Sequence, residues 1–480
     1  MILNDLNNIN DNFFSVIIIG SGPAGISTAL KLEELNVRTL LIEAGGLELD
    51  PESEDFLKGN VYAEDYYDIS TRRARMFGGT SNLWGGHCNK FEKEQFSNWP
   101  IDYDDLHSYE DEAKKVLGLK FYHTDFYIKK FNEDFNQYNT RFSDKSRNFK
   151  DVYYDKIKNS NYIYLSLNTS FLHFEGEKDN ISSLYCRKKS NFYSLKAKYF
   201  VLAAGGIENS RLLLWSKEKN KRIFDDNLPI GKYYMDHPYY DPAEGFIKYD
   251  KVSNYLDKTK GGSREFYVDC YNRVNLSPNL KFRSERDIDG LTFFWNFNHK
   301  SASNSSYIKK ITCMSPNIIK NFLLRENTED LINFKISINQ EQEPEANNRI
   351  TLSNDLDPYG TPLIDLTWKM SNKMKRCAKE NLLRLGKFLV EKDMGRIAIN
   401  EDIFSYDNFK TKLNAGHQMG GTCAGKNKLN SVVDKNLKVH SIDNLFVTGS
   451  SVFTTSGHGN PTYTIVLLSL KLADHLKKII

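Results

Sequence analysis

Residues 13–43 read FFSVIIIGSGPAGISTALKLEELNVRTLLIE, and the order of residue types along them decides the fold. Phe13 to Ile19 is a continuous apolar, β-branched run, the composition of a strand buried on both faces of a parallel sheet. A Gly-rich turn ends it. Pro23 to Leu35 then carries apolar residues at helical spacing, and Val37 to Ile42 reads as a second buried strand, which makes the stretch a βαβ unit. Gly20, Gly22 and Gly25 place G-x-G-x-x-G between strand and helix, the context the motif requires. Glycines there permit a tight turn and close approach of a pyrophosphate to the helix N-terminus. Glu43 closes the second strand, where a carboxylate accepts hydrogen bonds from a ribose diol and repels a 2′-phosphate. The plainer reading of Glu43, a solvated strand end, is outweighed by the complete fingerprint.

Outward from that unit, 480 residues suffice for two or three domains, or for one nucleotide-binding domain with another inserted in it. The 65 Lys and Arg against 62 Asp and Glu leave a net charge of +3, so no global field favours nucleic acid or an acidic membrane. Abundant Tyr and Phe come without a basic stripe or RNA-binding motif. The partner expected is a small molecule. Cys88, Cys186, Cys270, Cys313, Cys377 and Cys423 form no CxxC pair, so neither a zinc site nor a dithiol motif is read, and reduced, mostly buried thiols are expected. MILNDLNNINDNFF lacks the plan of a secretory signal, and no apolar run reaches bilayer-spanning length. The expected location is cytoplasmic.

Further along, residues 101–150 suggest one helix followed by irregular structure, residues 160–202 alternate apolar and polar residues, and Tyr199 to Ala203 is another buried-strand candidate. From 226 to 400, strand-like stretches such as Asn333 to Ile338 accompany a long helix from Asn372 to Glu391, suggesting an antiparallel sheet with helices on one face. Asn444 to Thr448 returns to buried strand, and an apolar helix starts at Pro461, which suits its first turn. The class is α/β. The division expected is a Rossmann-like nucleotide domain over 10–225, an inserted substrate-binding domain over 226–404, and the rest of the nucleotide domain over 405–480.

FAD and NAD share the fingerprint. A flavoenzyme reduced by a nicotinamide commonly carries a second dinucleotide unit, and no second G-x-G-x-x-G exists here, so a flavin reduced directly by its substrate is favoured. Gly78, Gly79, Gly85 and Gly86 surround Trp84 in FGGTSNLWGGH, a loop whose backbone can lie against a flat ligand; an ordinary loop closed by Trp packing is the alternative. His417 stands beside the turn of GHQMGGTCAG, and Asn460 precedes Pro461 in SGHGNPTYT, two segments that a strand between them can return to one pocket.

These segments resemble the glucose-methanol-choline (GMC) oxidoreductases, from about Phe13 to the C-terminus. GSGPAG with Glu43 is similar to the family's FAD fingerprint and FGGTSNLWGG to its second signature loop. VLAAGGIENSRLLLWS (201–216), IGKYYMDHP (230–238) and NNRITLS (347–353), the last followed by Asp357, Tyr359, Gly360 and Pro362, are also similar, as are H-Q-M-G-G-T, Val433, Asp434, NLFVTGSSVF, Asn460 and Pro461. The resemblance implies an FAD enzyme oxidising a CH–OH group of an alcohol, sugar or cyclitol by hydride transfer to flavin N5. His417 would be the base and Asn460 its hydrogen-bonding partner. It implies cofactor contacts at Gly20, Gly22, Gly25, Glu43, Gly78, Gly79, Ser81, Asn82, Ala204, Gly205, Gly449, Ser450, Pro461 and Thr462, and a substrate contact at His458. The chemistry agrees: a neutral imidazole can take a hydroxyl proton, whereas an amide can only donate or accept hydrogen bonds.

Departures limit what transfers. Gly449 and Ser450 replace the Asp-Ala of many members, and Thr454 replaces Pro. Leu83 stands where pyranose oxidases have a His bonded covalently to FAD, so noncovalent FAD is expected. The Trp-Gly-Gly form of the loop is similar to the bacterial sugar-dehydrogenase and pyranose-oxidase branch. His87 is read as a loop hydrogen-bonding residue and His237 as structural, while Lys471, Lys477 and Lys478 are a solvated helix face. Other flavin chemistry, such as amine oxidation or a redox-neutral rearrangement, and a low-turnover flavin-binding protein are the rival readings. Oxygen, a quinone or a protein could accept the electrons, and the oligomeric state stays open.

Overall fold

The computed structural model describes residues 1–480 apart from 8, 11–12, 64–65, 120–127, 139–140, 144–147, 249–250, 252–272, 299–330, 406–412 and 415. Five parallel strands form the sheet anticipated from the opening segment, in the spatial order Leu445–Val447, Tyr199–Leu202, Val16–Ile19, Thr39–Ile42, Ile163–Ser166. Val16 pairs with Thr39 on one side and Tyr199 on the other, so the first strand is central. Every residue of Val16–Ile19 and Thr39–Ile42 is buried, which is why neither strand alternates in polarity. The strands that follow the first lie on opposite sides of it, and an open α/β sheet has its crevice at such a switch point, beyond the carboxyl ends of the strands.

Helix Pro23–Glu34 packs against the C-terminal helix Thr462–Ile479, so the two ends of the chain share one layer and one core with the sheet. The approach of the first helix to its strand is close. A Cβ on Gly25 would lie 1.9 Å from the Gly20 carbonyl oxygen, a contact that only glycine avoids. The alternating stretch before residue 202 becomes an antiparallel meander, Thr169–Glu177, Asn180–Lys188 and Asn191–Leu195, whose Phe174 meets Phe200 of the parallel sheet edge-on.

A second sheet is antiparallel and runs Gly395–Ile399, Pro238–Lys248, Leu331–Gln340, Leu291–Asn298, Arg273–Pro278, Phe135–Tyr138, Ile128–Lys130, with Leu413–Asn414 also paired to Pro238–Lys248. Helix Asn372–Glu391, capped where the Met374 amide donates to Ser371 Oγ, buries Met374, Ala378, Leu382, Leu385 and Leu389 in a second core that holds Trp295, Ile336 and Ile338 of this sheet. Gly59–Tyr62 joins Arg349–Leu356 and Pro362–Thr367 in a small third sheet. Residues 59–62 and 128–138 thus pair outside the parallel sheet, although they precede residue 226. Their strands are short and polar, and partners so distant in sequence leave no trace in local periodicity. The single helix expected after residue 101 is two short ones, Tyr103–His107 and Glu110–Leu117, the second stopped by Gly118 in the left-handed region.

Cys88, Cys186, Cys377 and Cys423 are free and buried; Cys270 and Cys313 lie outside the described residues. Among the described residues, no helix is long and apolar enough to cross a membrane.

Candidate active site

Beyond the carboxyl end of the central strand the chain encloses a cleft of about 740 Å³, within the range that takes a cofactor-sized molecule. Gly20, Ser21, Gly22, Pro23 and Ala24 line it, at the start of a helix whose first turn no side chain caps. The amide donors of that turn are therefore left uncapped at the cleft, the arrangement that suits an anion. Glu43 lines it too. Its Oε2 accepts from the Ser21 amide (2.9 Å) and hydroxyl (2.6 Å), and its Oε1 from the Gly45 amide (2.9 Å). A carboxylate has about four acceptor positions, so room remains for a ribose hydroxyl. Burial raises the pKa of this carboxyl, against the opposing effect of those three bonds and Arg75.

The second glycine loop meets the first. Gly79, with φ +54°, lies so near Gly22 that a Cβ would come within 2.9 Å of its α-carbon, and Gly79, Thr80, Ser81, Leu83 and Trp84 all line the cleft. Gly78 and Asn82 build the turn instead: Ser81 Oγ donates to the Gly78 carbonyl (2.6 Å), and Asn82 Nδ2 donates to the carbonyls of Phe77 (3.0 Å) and Gly79 (2.7 Å). Ala204, Gly205, Gly449, Ser450, Pro461 and Thr462 complete the lining, while Gly25 sits behind it in the helix–strand contact. A cleft with an open helix N-terminus, a carboxylate at the second strand and backbone-lined walls fits an adenine dinucleotide.

At one end of this cleft His417 Nε2 is 3.2 Å from Asn460 Nδ2, so the amide donates and the imidazole accepts. Asn460 Oδ1 in turn accepts from Asn89 Nδ2 (3.2 Å), which fixes the orientation of the amide. Burial, with His237 and His87 nearby, holds the His417 pKa well below its ordinary 6.5, so the ring is neutral. The stretch that carries the pair, residues 344–469, matches the GMC oxidoreductases. This part of the chain belongs to that family.

Two curated relatives extend the similarity beyond that stretch. The chain is 28% identical over 294 residues to the fructose dehydrogenase large subunit of Gluconobacter japonicus, covering 58% of this chain and 47% of that protein. It is 26% identical over 305 residues to 2-methyl-1,2-propanediol dehydrogenase of Mycolicibacterium austroafricanum, covering 60% and 49%. The chain thus spans about half the length of the curated relatives it matches. Among solved structures, pyridoxine 4-oxidase from Mesorbium loti superposes with a TM-score of 0.58 at 15% identity, over 97% of this chain and 99% of that one. A formate oxidase of Aspergillus oryzae gives 0.60 at 16%, over 98% and 99%. At such identities these two matches establish the fold alone.

The remaining histidines divide. His87 lines the cleft. His458 is buried behind it, its Nδ1 3.3 Å from Gln95 Nε2 and its carbonyl accepting from Asn339 Nδ2 (3.0 Å), so the structure does not bring it to the cleft wall. His237, read from sequence as structural, places its Nδ1 2.8 Å from His417 Nδ1. Asp236 beside it accepts from the amides of His237 (2.7 Å) and His417 (2.8 Å) and from the hydroxyls of Tyr66 (2.7 Å) and Tyr67 (2.9 Å). Burial pushes this carboxyl up to about 6 despite the four donors. Asn89 and Asp236 escaped the sequence reading as site residues. The Asp-His-Pro triplet was a signal for Asp236, but only tertiary pairing shows what it holds.

Proposed function

We propose that the chain is an FAD-dependent oxidoreductase that oxidises a CH–OH group of an alcohol, sugar or cyclitol, with His417 as base and Asn460 as its partner. The observation that carries the reading is the His417 Nε2 to Asn460 Nδ2 contact of 3.2 Å at the wall of a dinucleotide-shaped cleft. Bound there, FAD would supply at N5 the acceptor for the hydride. The protein supplies the rest. A substrate hydroxyl that displaces the direct contact between the two side chains can accept from Asn460 Nδ2 and donate to the His417 Nε2 lone pair so freed. As negative charge grows on that oxygen, the neutral imidazole takes the proton and the amide, held by Asn89, keeps its N–H on the alkoxide.

Several features support the finer reading. Gly22, Glu43, Gly79, Ser81, Ala204, Gly205, Gly449, Ser450, Pro461 and Thr462 line the cleft and would hold the cofactor. FAD is preferred because the formate oxidase that shares this fold is a protein in which FAD is modified, and the single fingerprint suits a flavin reduced directly by its substrate rather than by a nicotinamide. Leu83 offers no nucleophile, so attachment is noncovalent. The Trp84-Gly85-Gly86 loop favours a sugar or cyclitol, and the two relatives are dehydrogenases of a sugar and of a diol. The antiparallel sheet of the 226–404 region would form the substrate-binding domain, and the free buried thiols suit the cytoplasm.

The test is to purify the protein, record a flavin spectrum and follow its anaerobic bleaching by sugars, cyclitols and simple alcohols. Bleaching by at least one of these classes is expected. A bound flavin that none of them reduces would remove the reading.

A further inference from the structure

The segment behind His417 has no part in the proton transfer described above, yet its geometry constrains that step. Met235 and Met419 exchange backbone hydrogen bonds, each amide donating to the other's carbonyl at 2.8 Å. Two residues further, in opposite chain directions, stand His237 and His417, so the two imidazoles face each other as a cross-strand pair. The spacing is visible in the sequence as Met235-Asp-His237 set against His417-Gln-Met419.

We propose that His237 is a positioning residue that sets the tautomer of His417, keeping its proton on Nδ1 and so leaving Nε2 an unprotonated acceptor, paired with Asn460 until a substrate hydroxyl takes its place. The inference rests on the reading of His417 as the base. His237 Nε2 lies 2.8 Å from the Gly457 carbonyl and 3.2 Å from that of Ser456, both acceptors, so Nε2 carries a proton. Its Nδ1 also faces Asn339 Nδ2 at 3.2 Å, and that amide cannot be turned round because the same nitrogen donates to the His458 carbonyl at 3.0 Å. Nδ1 of His237 is therefore an acceptor, unless the ring is charged. Burial, with only those two carbonyls to oppose it, lowers the pKa of His237 to about 4 and keeps it neutral. Two bare nitrogens 2.8 Å apart would repel, so the proton between the rings belongs to His417 Nδ1. Asp236 completes the clamp by accepting the amides of both histidines, which fixes the ring's anchor as well as its protonation.

Two substitutions separate positioning from scaffolding. The oxygen of His237→Asn stands near the place of Nδ1 and keeps the acceptor; the amide nitrogen of His237→Gln stands near Nε2 and keeps the donor to residues 456 and 457. The proposal expects kcat for flavin reduction to fall by on the order of tenfold or more in H237Q with KM nearly unchanged, and H237N to stay within about threefold of wild type. A larger loss in H237N than in H237Q would make His237 a scaffold and overturn the proposal. Independently of turnover, histidine-15N NMR of the purified protein, with His417 assigned from H417Q, is expected to show a protonated Nδ1 and a pyridine-type Nε2. A protonated Nε2 on neutral His417 overturns the proposal whatever the substrate proves to be. Correct tautomers in a protein that no alcohol reduces would count against the oxidoreductase reading alone.

Discussion

In the proposed reaction His417 would act through one lone pair, and its surroundings set when that lone pair is available. A base must be unprotonated, and a pKa below 6.5 extends the neutral form toward acid, so the rate of anaerobic flavin reduction should stay flat from neutral pH to below 6.5 and fall only at lower pH. Stopped-flow reduction across about pH 4.5–8, a window set around the ordinary histidine value, checks this; a decline centred at or above 6.5 would contradict the burial argument. His417→Ala should slow reduction by about 10²- to 10⁴-fold while FAD stays bound, read from the flavin spectrum of the variant. Asn89 matters through Asn460. Asn89→Leu removes the donor that orients the amide, so the amide can turn its oxygen to the alkoxide, and kcat should fall on the order of tenfold with FAD content unchanged. The sequence shows His417 and Asn460 plainly because they sit in Gly-rich signature segments. Asn89 and Asp236 are ordinary polar residues whose roles come from contacts 371 and 181 residues away.

The βαβ element works as a cradle because its turn has no side chains to spare. Gly25→Ala would put a methyl against the Gly20 carbonyl oxygen, and the helix could only shift away from the strand, at a cost of about 1–3 kcal/mol. Denaturant unfolding of the apo protein should show that loss, and the purified variant should carry less FAD than wild type. Unchanged stability would mean the helix start tolerates more space than the contact suggests. This element is fully legible in sequence, since a strand buried on both faces, a glycine turn and an amphipathic helix each have their own pattern. Helix Asn372–Glu391 is legible for the same reason. Two strands outside the parallel sheet are less so: Gly59–Tyr62 and Phe135–Tyr138 are four residues each, and their partners lie far along the chain.

Across the whole molecule, one cleft draws its lining from the first helix turn, the second glycine loop, the 203–212 turn and the last hundred residues. Binding there should stabilise the fold as a unit. FAD added to apo protein at about 100 times its Kd contributes ~2.7 kcal/mol, visible as a higher Tm, and acid precipitation of the holoprotein should release yellow, protein-free FAD if attachment is noncovalent. Flavin remaining with the pellet would overturn the noncovalent assignment. By itself the sequence determined the α/β class and the glycine turn of the βαβ unit, and it singled out the segments of His417 and Asn460, because glycine turns, buried strands and polar residues in signature loops are local features. Only the tertiary structure decided that Asp236 and His237 stand behind His417, that Asn89 orients Asn460 and that His458 lies outside the cleft lining. Hydrogen bonds span a few ångströms in space and any distance in sequence, so their partners exist only once both sheets have packed.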